Sequence, residues 1–250
     1  MIAEERLEIR TPDGVSDSLL YRDADGRRRP GAIHLTDVRG IRDSQRLMAQ
    51  RLAARGYVVL MPNVFYRTGH PPLWDFPPNF GEERTMKRFA ELTRPLSPDG
   101  MERDMGAYVD FLAGQPPVAK GDLGVVGYCF TGKMALYGAA TRPATIAAAA
   151  SFHGGGLVDD TQSSPHLSLP RITKARLYFG HAVDDRSMPP EAIGWLHRAL
   201  EAWGGTYESE TYDGARHGWT VPDHAAFSPS DAQRAFDKLG KLLDSTLRRA

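Results

Sequence analysis

The sequence predicts an α/β protein in which a mostly parallel eight-stranded sheet carries helices on both faces. Three observations predict it. Short apolar runs alternate with amphipathic stretches along the 250 residues. Several runs, such as 57–61 and 123–128, are apolar throughout, as strands buried on both faces are. The first two strands are joined by Pro12-Asp13-Gly14, a tight turn that implies an antiparallel edge.

The elements follow in order. Strands are predicted over 5–10 and 16–21, then a buried strand over 31–36. A helix over 44–55 ends at Gly56, a residue suited to the left-handed turn that stops helices. A second buried strand over 57–61 is halted by Pro62. A helix over 99–113 ends at Gly114, and a strand over 123–128 runs straight into a helix over about 130–140. Strands over 145–152 and 175–180 follow. The helix over 189–203 has proline in its first turn, where the missing N–H costs nothing. A last strand over 206–212 and a terminal amphipathic helix over 231–247 complete the pattern, with no internal repeat.

Composition narrows the function. Hydrophobic residues make up 41% and charged residues 25%, which suits one domain over 1–250. Lys+Arg and Asp+Glu both total 31, so nothing in the charge balance points to nucleic acid. The N-terminus lacks the apolar run of a secretory signal, and no stretch approaches the ~20 apolar residues of a membrane span. One cysteine forbids an internal disulfide and suits a cytoplasmic location. No His/Cys cluster has metal-ligand spacing and no Gly-rich loop suits a nucleotide, so neither metal nor cofactor is expected.

The segment 65–98 stands apart. It holds Pro71, Pro72, Pro77, Pro78, Pro95 and Pro98, together with Trp74, Phe76 and Phe80. Its aromatics favour packing over disorder, and it reads as a cap-like insertion over the site. The alternative is an excursion packed on the sheet edge.

The chemistry-bearing motif is Gly127-Tyr128-Cys129-Phe130-Thr131-Gly132. Strand, abrupt turn and helix are the context in which a nucleophile is held in a strained conformation. The neighbours must be small, and Gly127 meets that need, whereas Thr131 is larger than the usual glycine. The helix start presents free N–H groups and positive dipole to the sulfur, and Phe130 N–H is placed to donate to an oxyanion.

A thiol nucleophile needs a histidine, and the histidine needs an orienting acid. Chain order in such folds runs nucleophile, acid, histidine. Of eight histidines, His217 directly follows the last predicted strand, between Gly214 and Gly218, which permit a tight loop. For the acid, the loop Gly180-His181-Ala182-Val183-Asp184-Asp185-Arg186-Ser187-Met188-Pro189 offers two aspartates; spacing to the helix favours Asp185, with Asp184 the alternative.

At these residues the sequence resembles the dienelactone hydrolase (carboxymethylenebutenolidase-like) family of α/β-hydrolases. The cysteine elbow, Gly-His-Ala-Val-Asp-Asp-Arg-Ser-Met-Pro, Tyr-Asp-Gly-Ala-Arg-His-Gly-Trp and the weaker Leu35-Thr36-Asp37-Val38-Arg39-Gly40 carry the resemblance, in order, over nearly the whole chain. It implies an α/β-hydrolase fold and a Cys129–Asp185–His217 triad. It implies an oxyanion hole from Val38 and Phe130 N–H groups. Asp37 stands where the family has a glutamate near the sulfur, so an accessory acid role is implied for it, with a shorter side chain. Family members acting on dienelactone hold the substrate carboxylate with arginines, one shortly after the histidine, and the stretch from His217 to Pro222 has none. Arg84, Lys87 and Arg88 in the cap are the substitutes, and Trp74, Tyr128 and Trp219 are the aromatic candidates for substrate contact.

The resulting expectation is a hydrolase of a small-molecule ester or lactone acting through an acyl-thioester. A thiolate is itself a good leaving group, which favours activated acyl groups and disfavours amides. A thioesterase, a non-catalytic binding protein and a thiol sensor on the same scaffold are the alternatives.

Overall fold

A computed structural model describes residues 1–248. Its sheet has eight strands in the order β1-β2-β4-β3-β5-β6-β7-β8: β1 (Ile2–Thr11), β2 (Gly14–Asp23), β3 (Gly31–Leu35), β4 (Val58–Pro62), β5 (Leu123–Tyr128), β6 (Ile146–Phe152), β7 (Arg176–His181) and β8 (Tyr207–Thr211). β1 and β2 form the expected antiparallel hairpin, with Thr11 opposite Gly14, and β2 joins β4 antiparallel. From β4 through β3 and β5 to β8 every pairing is parallel.

Parallel strands need crossovers that cover both faces of the sheet. Helices α1 (Asp43–Ala54) and α6 (Pro229–Leu247) cover one face. Helices α3 (Pro98–Ala113), α4 (Gly132–Thr141) and α5 (Pro190–Trp203) cover the other, with α2 (Glu83–Thr93) beyond them. The strand period divides each central strand between the two cores. Val58 and Leu60 of β4 face the α3/α4 side, whereas Val59 and Met61 face α1 and α6. Val125 and Val126 of β5 separate in the same way.

The segment 65–98 is not loop throughout, because its second half contains α2. Phe89 on α2 packs edge-on against Phe130 with ring centres 6.2 Å apart, so the insertion touches the residue after Cys129. Arg88 donates twice to the Leu73 carbonyl, at 2.9 and 2.8 Å, and closes the segment on itself. Among the described residues no helix is long and apolar enough to cross a membrane.

Candidate active site

β5 ends at Tyr128, and the chain turns at once. Cys129 has φ 57°, a left-handed conformation that L-residues avoid at a cost of about 1–3 kcal/mol. A short 3-10 turn, Cys129–Thr131, then leads into α4. Small residues are required on either side of this turn. A methyl at Gly127 would run into the Thr131 carbonyl oxygen, and one at Gly132 would run into Ser151 Oγ and lie 2.7 Å from Gly154 Cα. Position 131 has no such constraint: Thr131 is fully buried, and its hydroxyl is bonded into the turn. Cys129 itself is partly exposed.

The loop after β8 brings His217 to the same end of the sheet. Gly214 (φ 77°) and Gly218 (φ 93°) adopt the left-handed conformation that the tight loop demands. A methyl on Gly218 would come within 2.5 Å of the His224 ring. The loop after β7 brings the acid. Asp184 takes φ 51° and points to solvent, while Asp185 turns inward and is 7% exposed. The two loops are tied by Val183 N–H donating to Ala215 O at 2.9 Å.

Asp185 Oδ2 lies 2.7 Å from His217 Nδ1. Its Oδ1 accepts from Ser187 N–H at 2.9 Å and from the Ser187 hydroxyl at 2.6 Å. Burial works against the Asp185 carboxylate, but the bonds from His217 and Ser187 outweigh it and hold its pKa below the usual range. Burial likewise opposes charge on His217. The negative sulfur of Cys129 and the Asp185 carboxylate reverse that, raising the imidazole pKa to about 10. With Nδ1 committed to Asp185, the other ring nitrogen is left for Cys129. Asp185 thus fixes the ring orientation, and the sulfur adds its pull on the ring's charge.

Val38 and Phe130 N–H groups have no hydrogen-bond partner among the described residues. The Val38 carbonyl accepts from Trp74 Nε1 at 3.1 Å, so the cap segment is bonded to the loop after β3.

Several predicted site residues lie elsewhere. Asp37 is engaged by Arg42 through both carboxylate oxygens, at 2.6 and 2.7 Å, and Arg42 also binds Asp223. That ion-pair network, not the sulfur, is where its carboxylate is used. Tyr128 stacks on Phe152 at 5.7 Å and belongs to the core under α1 and α6. Trp219 is fully buried, 4.8 Å from Tyr212 and 5.0 Å from His153. The Trp219 ring is closed to substrate, and Tyr128 lines a cavity beside α1 and α6. Arg84 lies 3.8 Å over the Phe76 ring with Asp75 beside it, and Arg88 is bonded to Leu73 and Glu91. Both arginines are occupied within the insertion.

The structure also brings in residues that the sequence reading passed over. His153 directly follows β6, is 1% exposed and meets the His217 ring edge-on at 5.0 Å, with Nε2 2.8 Å from Thr220 Oγ1. Its signal was its place at a strand end on the same sheet edge, which chain order had set aside. Ser187 orients Asp185, and its Asp-x-Ser spacing is that of a side-chain turn. Lys133 stands on α4 one turn after Cys129, with Nζ 4.7 Å over the Phe130 ring.

Comparisons with known proteins bear on the family and the fold. A family model described as the dienelactone hydrolase family matches residues 17–247. A carboxymethylenebutenolidase of Rhodococcus opacus is 27% identical over 220 residues, covering 86% of this chain and 81% of its own. Among solved structures, the dienelactone hydrolase-like promiscuous phosphotriesterase P91 from metagenomic libraries superposes with a TM-score of 0.82 at 18% identity, covering 98% of each chain. The dienelactone hydrolase of Anabaena variabilis gives 0.66 at 19% identity, covering 98% of this chain and 99% of that one. The two structures share the α/β-hydrolase fold with this protein, and the match of the family model over nearly the whole length establishes that the chain belongs to the dienelactone hydrolase family.

Proposed function

We propose that this protein hydrolyses a carboxylic ester or lactone by nucleophilic catalysis at Cys129. His217 is the acid and base, and Asp185 orients it. The observation that carries this reading is Cys129 at φ 57° on the crest of β5, with His217 fixed by Asp185 at 2.7 Å.

The thiolate of Cys129 attacks the carbonyl carbon, and a C–S bond forms. The negative charge moves to the carbonyl oxygen, where the unpartnered N–H groups of Val38 and Phe130 receive it. One such donor is worth ~3–4 kcal/mol to the transition state. Collapse breaks the C–O bond, and imidazolium His217 gives its proton to the departing alkoxide. In a lactone the alcohol stays attached to the acyl group.

Acylation also changes the histidine. The sulfur in the thioester is neutral, so His217 loses the partner that raised its pKa. The ring becomes a base, takes a proton from water, and hydroxide attacks the thioester. The C–S bond breaks and the thiolate returns with the free acid. The segment 65–98 acts as the cap over this site, with Trp74 holding the Val38 peptide. The substrate is a small molecule. A reducing cytoplasm would keep the thiol in its working state.

The test uses 4-nitrophenyl acetate with wild type, Cys129→Ala and His217→Ala. Wild type turns over, and each variant loses roughly 10³-fold or more. Mass spectrometry of a quenched reaction finds one acetyl group on Cys129. Equal turnover by all three proteins would remove the assignment of the site. No turnover by wild type would remove the esterase reading for this ester class.

A further inference from the structure

A cavity of about 270 Å³ lies between α1, α6 and the loop that follows His217, and neither Cys129 nor His217 lines it. Tyr128, Phe152, Phe227 and Phe236 surround it with aromatic rings, and Thr220 closes it from the His217 loop. Arg51 donates to Gln233 and lies 4.0 Å over the Phe236 ring, so its guanidinium is engaged at the rim.

His34 and Tyr128 bring polar atoms to this wall. His34 is buried, and burial pushes its pKa down to about 4, so the ring is neutral at neutral pH. Its Nε2 lies 2.8 Å from Gln45 Oε1. A carbonyl oxygen only accepts, so the ring proton sits on Nε2 and Nδ1 is left as an acceptor. That Nδ1 has no hydrogen-bond partner among the described residues, and the Tyr128 hydroxyl bonds to no other side chain. Neither atom is sealed in the packing, as the unbonded Gln45 Nε2 and Trp219 Nε1 are. The two rings are 5.1 Å apart at their centres, within reach of one ligand group.

The chemistry of the wall selects its occupant. A hydroxyl group can donate to His34 Nδ1 and accept from the Tyr128 hydroxyl. An anion would find only an acceptor at His34. The four aromatic side chains match a ring. Ligand pockets commonly measure ~300–1,000 Å³, so a space at the low end suits a molecule of about one or two rings.

The same wall continues into the triad. Thr220 Oγ1 lies 2.8 Å from His153 Nε2, and the His153 ring meets His217 edge-on at 5.0 Å. Tyr128 directly precedes Cys129 and stacks on Phe152, the residue before His153, at 5.7 Å. A ligand seated against Thr220 and Tyr128 is therefore one residue removed from groups that touch His217 or carry the sulfur. Its binding and the state of those groups are coupled in both directions.

We propose that this cavity is a second ligand site, that it takes a small neutral aromatic molecule carrying one hydroxyl, and that its occupancy is transmitted to His217. The regulatory meaning of that transmission rests on the reading of His217 as the catalytic base.

The test titrates the protein with 4-ethylphenol, followed by nitrogen NMR of the backbone and of the His217 ring. 4-Ethylphenol binds wild type saturably. 4-Ethylanisole, which cannot donate, binds at least about fivefold more weakly, the worth of one hydrogen bond. Tyr128→Phe weakens 4-ethylphenol by a similar factor. Ala232→Phe fills the cavity from α6 and abolishes binding, and Met48→Trp does so from α1 if Ala232→Phe does not fold. Saturation with 4-ethylphenol moves the His217 ring signals in wild type and not in the filled variant. Absence of binding, equal affinity for phenol and ether, full affinity in Tyr128→Phe, or binding that survives filling overturns the proposal. So does a His217 shift that persists in the filled variant, since the phenol would then sit at the triad itself. Binding that leaves the His217 ring unmoved overturns the transmission. Failure of wild type to cleave 4-nitrophenyl acetate, with 4-ethylphenol binding intact, would count against the hydrolase reading and leave the second site standing. Turnover without 4-ethylphenol binding would do the reverse.

Discussion

The hydroxyl of Thr131 lies 3.2 Å from the carbonyl oxygen of Leu35 and ties the turn after β5 to the end of β3. The same oxygen accepts from Tyr128 N–H at 3.0 Å and lies 3.0 Å from the Tyr128 carbonyl, so its single proton is shared between two acceptors. Thr131 thus clamps the two strand ends from which Val38 and Phe130 project. Thr131→Val keeps the shape and removes the clamp. A buried N–H and a carbonyl lose their partner, at a cost of about 1–3 kcal/mol. Urea unfolding should register that loss. The kcat for an activated ester should fall as well, because Cys129 would be held less firmly. An unchanged midpoint would mean that backbone packing alone sets the turn.

The charge on His217 depends on Cys129. In the free enzyme the ring remains protonated up to about pH 10, because the sulfur's negative charge and Asp185 outweigh burial. In Cys129→Ala the sulfur is gone while burial persists. The imidazole pKa must therefore move down, toward the ordinary histidine value of about 6.5. Nitrogen NMR of the His217 ring against pH reads this directly. Wild type should titrate near 10 and the variant well below it. Coincident titrations would mean that ring and sulfur do not interact.

How much of this was legible in the sequence depends on range. The strand–turn–helix at Cys129 was readable because β5 is apolar throughout and the glycines flank one cysteine. His217 was readable because Gly214 and Gly218 mark a tight loop beyond the last strand. Asp185 over Asp184 becomes clear only in three dimensions, where φ 51° at Asp184 turns the next carboxylate inward. Strand parity carried a signal that went unused. Tyr128 and Val126 are two residues apart and share the face under α1 and α6, opposite Phe130 and the cap. Helix α2 was hidden by the prolines around it, although Met86, Phe89, Ala90 and Thr93 recur at helical spacing. Lys133 carried no sequence signal, since a lysine in the first turn of a helix ordinarily faces water. Only the fold of α2 over α4 encloses it.

Trp74 joins the insertion to the loop that carries Val38. Its Nε1–H donates to the Val38 carbonyl at 3.1 Å, and its ring packs against Phe76 and Phe80. Trp74→Phe retains an aromatic ring and deletes the donor. A single hydrogen bond of this kind is worth about 1 kcal/mol, so kcat/KM for a simple aryl ester should drop about fivefold. Stability should change little. The comparison that isolates the bond is Trp74→Phe against Phe76→Leu, which loosens the packing without touching Val38. If both lower activity equally, the hydrogen bond has no part in aligning the Val38 peptide.

The segment 65–98 starts from a buried ion pair, and its anchoring can be tested through stability. Asp104 on α3 has a fully buried side chain, and Arg67, 14% exposed, donates to it at 2.6 and 3.0 Å. Tyr66 donates to the same carboxylate at 2.9 Å, and Arg67 reaches Asp13 in the β1–β2 turn at 2.6 Å. Replacing Arg67 with methionine keeps much of the packing but strands a buried carboxylate. Breaking a buried pair from one side typically costs about 3–5 kcal/mol, a large share of the ~5–15 kcal/mol that holds a domain together. Arg67→Met should therefore show a sharply lowered urea midpoint. Adding Asp104→Leu removes the stranded charge, so the double variant should regain most of the loss even though it contains fewer polar contacts. Equal stability of the single and double variants would show that the penalty comes from lost packing around Arg67, and not from an uncompensated charge beneath the start of the insertion.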